Sequence, residues 1–190
     1  MAPFPFNPES TALVLVDLQN GIAALPLAPH TGTEVVERGS QLATELRQRG
    51  VIVIFIRVSL PEILRLPADA PTRDPNAPHP PAAASELVAE LDRQPEDLVI
   101  TKRQWGAFYG TELDQQLRRR GIRTIIFGGI ATNFGVESTA RAAFDRGYEL
   151  VFVEDAMSSI HADAHRFATE TIFPRMGRVR TTQDVLEAAQ

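Results

Sequence analysis

Cysteine is absent from the sequence. That absence excludes disulfides, thiolate metal sites and, with most consequence for chemistry, a cysteine nucleophile. Also missing is any apolar run approaching the roughly 20 residues needed to cross a bilayer. The opening stretch from Met1 to Pro8 is proline-rich instead of basic then apolar, so no targeting segment is read there and a cytoplasmic protein is expected. Charge of one sign does not accumulate either: 19 basic and 24 acidic side chains are spread along the chain, giving a net charge of -5 and no basic stripe. Nucleic acid and membranes are therefore not expected as partners; a small-molecule substrate and other copies of the chain are. Arg118-Arg119-Arg120 fits this reading, since it stands before Gly121 at a helix end where cations favour the helix dipole.

What is present suffices for one core. A chain of 190 residues with 44% hydrophobic content is long enough for one domain, spanning 1–190, and short for two. Ala12 to Val16 is a continuous apolar run, as in a strand buried on both faces of a parallel sheet. A helix is expected over Glu34 to Arg49 with Thr33 as its N-cap and Gly50 as its stop, then a strand over Val51 to Val58. Prolines 61, 67, 71, 75, 78, 80 and 81 forbid a regular element from Leu60 to Pro81, leaving a long surface excursion. The pattern continues with a helix over Ser85 to Arg93, a strand over Leu98 to Thr101 and a helix over Glu112 to Arg120. Further strands are expected at 123–127, Leu150 to Val153 and Arg178 to Arg180, with helices at 136–146, Ala162 to Phe173 and Thr182 to Ala189. Such alternation implies right-handed crossovers and a three-layer, Rossmann-like α/β fold, with a mainly parallel sheet and helices on both faces.

In such a sheet ligands bind beyond the carboxyl ends of the strands. Asp17 follows the first strand, Lys102 the third, and a turn of small residues from Gly129 to Gly135 the fourth. A strand-to-helix turn exposes N–H groups at the positive end of the helix dipole and can hold an anion or a developing oxyanion. A carboxylate and an ammonium converging there can share a proton for acid–base catalysis. Spacing alone also allows, and more readily, that Asp17 caps a turn with Gln19 and Asn20 and that Lys102 is a solvated strand end.

Three stretches narrow the choice: Leu15-Val16-Asp17-Leu18-Gln19-Asn20, Thr101-Lys102, and Gly129-Ile130-Ala131-Thr132-Asn133-Phe134-Gly135-Val136-Glu137-Ser138-Thr139-Ala140. In this order and spacing the chain resembles the isochorismatase-like (cysteine hydrolase) superfamily along essentially its whole length, as far as Val153-Glu154-Asp155-Ala156. The resemblance implies a catalytic set of aspartate, lysine and cysteine, matched here by Asp17 and Lys102. Gly135 stands at the cysteine position, so thioester chemistry does not carry over. Isochorismatases in the superfamily also lack the thiol and hydrolyse a vinyl ether by protonation from the aspartate and addition of water. They carry a tyrosine where this chain has Ala131, and bacterial members sharing the run Lys102 to Thr111 and the same glycine are the closer likeness. The resemblance further implies a cis Ile130–Ala131 bond and backbone donors at Ala131 and Gly135; an ordinary glycine-rich turn is the other reading.

The expected function is thus hydrolysis of a small organic substrate by Asp17 acid–base catalysis and water, with no cofactor; a catalytically silent, metabolite-binding or assembly protein is the alternative. A neighbouring Lys102 would lower the Asp17 pKa, and desolvation would raise it. Trp105, Phe108 and Tyr109 could wall a substrate pocket, as the loop after the lysine does in the family, or pack at a subunit interface. Arg103 could bind a substrate carboxylate, or form a surface or interface salt bridge. His161 and His165 have the i, i+4 spacing of a chelating pair, but no acidic partner completes a recognised motif, and no metal is expected. Glu137 and Arg141 are expected to pair along their helix.

Overall fold

A computed structural model of the chain describes residues 6–64, 66–71, 74 and 76–190. Six strands form one sheet: β1 (Thr11–Val16), β2 (Ile52–Val58), β3 (Leu98–Lys102), β4 (Thr124–Ile130), β5 (Glu149–Ser158) and β6 (Arg178–Arg180). Their order is β3-β2-β1-β4-β5-β6 and every pairing is parallel. The helices are α1 (Asn20–Ala23), α2 (Gly32–Gln48), α3 (Leu113–Arg118), α4 (Glu137–Asp145), α5 (Ala162–Phe167) and α6 (Thr182–Ala188).

The apolar run of β1 is continuous because both of its faces are covered. Ala12, Val14 and Val16 pack in a core with Leu113 and Leu117 of α3, Ala140 and Ala143 of α4, and Phe173. Leu13 and Leu15 face the other way, onto Val35, Leu42 and Leu46 of α2 and Val185 of α6. The result is the expected three-layer α/β architecture, with one ring ladder at its centre: Phe152 stacks on Phe173 at 4.1 Å and lies 6.0 Å from Phe127.

Several boundaries differ from expectation for identifiable reasons. The N-cap of α2 is Thr31, not Thr33. Thr31 Oγ1 accepts from the Glu34 N–H while the Glu34 carboxylate accepts from the Thr31 N–H, a reciprocal pair that satisfies two donors at once. The helix expected over Ser85 to Arg93 is absent; short 3-10 turns at Ala82–Ser85 and Ala89–Leu91 flank an extended stretch. That stretch pairs with the chain after β1, through Val88 N–H to Leu18 O (3.1 Å) and an antiparallel bridge between Leu87 and Gln19. The fourth strand runs on to Ile130, and β5 to Ser158. α5 stops at Phe167 and passes through a π turn (Ala168–Ile172) into a 3-10 turn at Phe173–Arg175. Within the excursion 60–81, Leu60–Glu62 is a 3-10 turn and its other described residues form no helix or strand; part of it lies outside the described residues.

The chain leaves β1 toward β2 and β3, then returns to lay β4 on the other side of β1. That reversal makes the carboxyl ends of β1 and β4 the switch point, where a ligand site is expected in an open parallel sheet.

Candidate active site

Asp17 takes the first position after β1 with φ 55°, a left-handed conformation uncommon outside glycine. Two backbone bonds hold it there, from its N–H to Ile56 O (2.8 Å) and from Gln19 N–H to its carbonyl (2.9 Å). The fully buried Gln19 side chain then clamps the end of β2, donating to Val58 O (2.9 Å) and accepting from Val58 N–H (2.6 Å). Lys102, at the end of β3, extends past β2 and donates to Asp17 Oδ2 (2.7 Å) and to Trp105 O (2.7 Å). Both partners are buried, Lys102 with 2% and Asp17 with 5% of its surface exposed. Asp17 Oδ1 is buried and, among the described residues, has no hydrogen-bond partner.

Two opposing effects act on this carboxyl, and burial is the larger. Desolvation raises the Asp17 pKa from 3.8 to about 6, against the charge and the hydrogen bond of Lys102 that lower it. The group is thereby brought into a range where it can both give and take a proton near neutral pH.

The third strand end supplies backbone. The Ile130–Ala131 peptide is cis. Thr132–Val136 then forms one π turn leading into α4, a distortion that recurs at functional sites. The Ala131 carbonyl accepts from the N–H groups of Phe134 (3.1 Å) and Val136 (3.2 Å), the residues on either side of Gly135. Thr139 Oγ1 donates to Gly135 O (2.6 Å) and accepts from Ala107 N–H (3.1 Å), tying the turn to the loop after Lys102. A Cβ on Gly135 would stand 2.9 Å from Asp17 Oδ2, 3.1 Å from Lys102 Nζ and 3.3 Å from Val16 Cγ1. Asp17, Lys102 and Gly135, far apart in sequence, therefore meet at one point.

The neighbouring candidates divide. Trp105 is half exposed and meets Phe134 of the turn edge to face, with ring centroids 4.8 Å apart. Phe108 is instead a core residue, 6.0 Å from the Tyr148 ring with the Arg146 guanidinium 4.8 Å over its own ring. Tyr109 is exposed. Arg103 pairs with Glu62 (2.9 Å), both about half exposed, and Arg141 pairs with Glu137 (2.8 Å). His161 only borders α5, whereas His165 is buried and meets His30 and Glu154, a grouping that the i, i+4 spacing does not anticipate.

The sequence pattern of the isochorismatase domain matches residues 11–184. The chain belongs to the isochorismatase family. It is 45% identical over 191 residues to the isochorismatase family protein YecD of Escherichia coli O157:H7, covering 96% of this chain and 97% of that one. An isochorismatase family protein from Burkholderia thailandensis superposes with a TM-score of 0.90 at 46% identity, covering 97% of this chain and 98% of that one. The ureidoacrylate amidohydrolase RutB of Variovorax paradoxus is 42% identical over 107 residues, covering 54% of this chain and 41% of its own. No helix among the described residues is long and apolar enough to cross a membrane.

Reading the sequence misses Gln19 and Thr139 as residues that set the site's geometry, although both lie inside the stretches that carry the family likeness. It also misses His30, which no local pattern marks.

Proposed function

We propose that this isochorismatase-family chain hydrolyses a small organic substrate with Asp17 as the proton donor and acceptor and water as the nucleophile. The observation that carries the reading is the Asp17 carboxyl itself: one oxygen held by Lys102, the other buried without a partner, and a pKa raised to about 6. A carboxyl in that state is protonated often enough near neutral pH to act as an acid.

On an enol ether, Asp17 delivers its proton to the double-bond carbon, leaving an oxocarbenium ion. Water adds to that cation and returns a proton to the Asp17 carboxylate, and the resulting hemiketal collapses to a carbonyl compound and an alcohol. Lys102 orients the carboxyl, and the N–H groups of Ala131 and Gly135 hold an anionic oxygen of the substrate. Trp105 contributes an apolar wall, and Arg103 reaches a substrate carboxylate only if it leaves Glu62. The name of RutB makes C–N hydrolysis the natural competing bond class, yet without a thiol that route also falls to Asp17 and water.

The test is turnover of a panel of enol ethers, esters and amides. The expected profile has kcat falling above about pH 6 as the acid form is lost, and Asp17→Asn removes activity. Unchanged turnover in Asp17→Asn would refute the acid role, and binding without turnover across the panel would favour the silent, metabolite-binding alternative. Assembly into homo-oligomers belongs to the same reading, since Trp105 and Tyr109 leave aromatic surface exposed; a monomer alone in native mass spectrometry would remove it.

A further inference from the structure

Away from the Asp17–Lys102 pair, three ligating side chains converge from distant parts of the chain. His30 lies between α1 and α2, Glu154 on β5 and His165 on α5, and one donor atom from each lies within 4.8 Å of the other two. We propose that His30, Glu154 and His165 form a binding site for a divalent cation of the zinc class.

The donor set fits that class. Two imidazoles and a carboxylate suit zinc and its neighbours, and three protein ligands leave a coordination position open. His165 Nε2 and Glu154 Oε2 are 3.8 Å apart, too far for a hydrogen bond and close to the roughly 3.4 Å between two ligands on a tetrahedral ion with bonds of about 2.1 Å. No separation must close by more than roughly 1.4 Å, a shift that side-chain rotation of the partly exposed His30 and Glu154 can supply.

Each ligand is positioned by contacts of its own. His165 is buried, and its Nδ1 pairs with Thr132 Oγ1 (2.9 Å), the outer contact that fixes a ligating imidazole and turns its Nε2 toward Glu154. The His30 backbone is pinned to the end of β5, its N–H donating to Ser158 Oγ (3.3 Å) and its carbonyl accepting from the same hydroxyl (2.6 Å). Ala28 and Ser159 exchange two backbone bonds beside it, at 2.8 and 3.1 Å. Glu154 falls where β5 departs from its register with β4, between the Phe127–Phe152 and Gly129–Met157 pairs, an irregularity of the kind that re-aims a side chain.

The surrounding charge is mixed. Arg38 and Glu34 act on His30 from α2, and Asp155 lies next to Glu154. The Arg38 guanidinium is engaged by Asp155, through the carbonyl at 2.6 Å and the carboxylate at 3.8 Å, which offsets part of its charge. Because His165 holds Thr132, an ion here would also steady the turn that carries Gly135.

The test uses the full chain without an affinity tag, stripped with a chelator and titrated with zinc by calorimetry and with cobalt by visible absorption. One ion per chain is expected, with cobalt bands of a four-coordinate nitrogen and oxygen site. His30→Gln and Glu154→Gln should each weaken binding at least about tenfold. His161→Gln and Asp17→Asn should leave it unchanged, the latter separating this site from the proposed acid. Should a variant fail to fold, imidazole NMR of the unaltered protein decides: zinc must shift His30 and His165 and spare His161 and His79. No stoichiometric uptake by the unaltered protein, or equal affinity in the double variant His30→Gln/Glu154→Gln, would overturn the site.

Discussion

Asp17→Asn separates the two forces acting on the buried pair, because the amide keeps the shape of the carboxyl and carries no proton to titrate. Between the unfolded pKa of 3.8 and the folded value of about 6, native Asp17 retains a proton that the unfolded chain has released. Its contribution to stability is therefore fully present below pH 3.8 and is lost as pH rises through about 6. At 1.36 kcal/mol per pKa unit, a shift of about two units amounts to roughly 3 kcal/mol. The amide has no such slope, so the Asp17→Asn variant should gain about 3 kcal/mol relative to the unaltered protein between about pH 4 and pH 7. Urea unfolding of both proteins across that range measures the difference directly, and other carboxyls cancel in it to first order. A difference that stays level, or moves in favour of the unaltered protein as pH rises, would show that the attraction of Lys102 matches or outweighs desolvation. The proposed acid would then be ionised throughout the neutral range.

Gly135→Cys supplies the thiol common in the family, yet its Cβ meets Asp17 Oδ2 at 2.9 Å and Lys102 Nζ at 3.1 Å. Neither it nor Gly135→Ala is a simple addition: each should cost about 1–3 kcal/mol in urea unfolding, and amidase or esterase activity should appear only if the pair retreats. A Gly135→Cys variant as stable as the unaltered protein and immediately active would contradict this. Far from the site, Arg47 on α2 grips Asp97 with two bonds, Nε to Oδ1 at 3.0 Å and Nη2 to Oδ2 at 2.7 Å, and the Asp97 side chain is 1% exposed. Asp97→Ala leaves that guanidinium without its buried partner and should lose about 3–5 kcal/mol by thermal or urea unfolding; a loss below about 1 kcal/mol would show that the bond is weak.

The strands were legible because burial on both faces writes itself as unbroken apolar runs, as in Leu13-Val14-Leu15-Val16. The N-cap was legible in principle: Thr31-Gly32-Thr33-Glu34 offers two threonines, and only Thr31 has the three-residue spacing to Glu34 that a reciprocal cap requires. The segment around Leu87 was not, since its apolar residues fit a helix locally and only the pairing with Leu18 and Gln19, distant in sequence, draws it straight. The same limit governs the sites. Asp17 and Lys102 could be named from family likeness, but the sign of the Asp17 shift depends on how completely the fold removes it from water. His30, Glu154 and His165 share no local pattern at all.

Gly135 shows how composition and geometry are joined. The absence of cysteine excludes one mechanism, but the structure adds that the carboxylate and ammonium press against the face of Gly135 from which a side chain would project. A side chain there would push Asp17 Oδ2 and Lys102 Nζ from their places, and with them the 2.7 Å bond that sets the balance on the Asp17 proton. The missing thiol and the titration of the aspartate are therefore not independent features. Any substitution at position 135 should move the Asp17 pKa as well as the space beside it, and a carboxyl NMR titration that stayed at about 6 in Gly135→Ala would break that link.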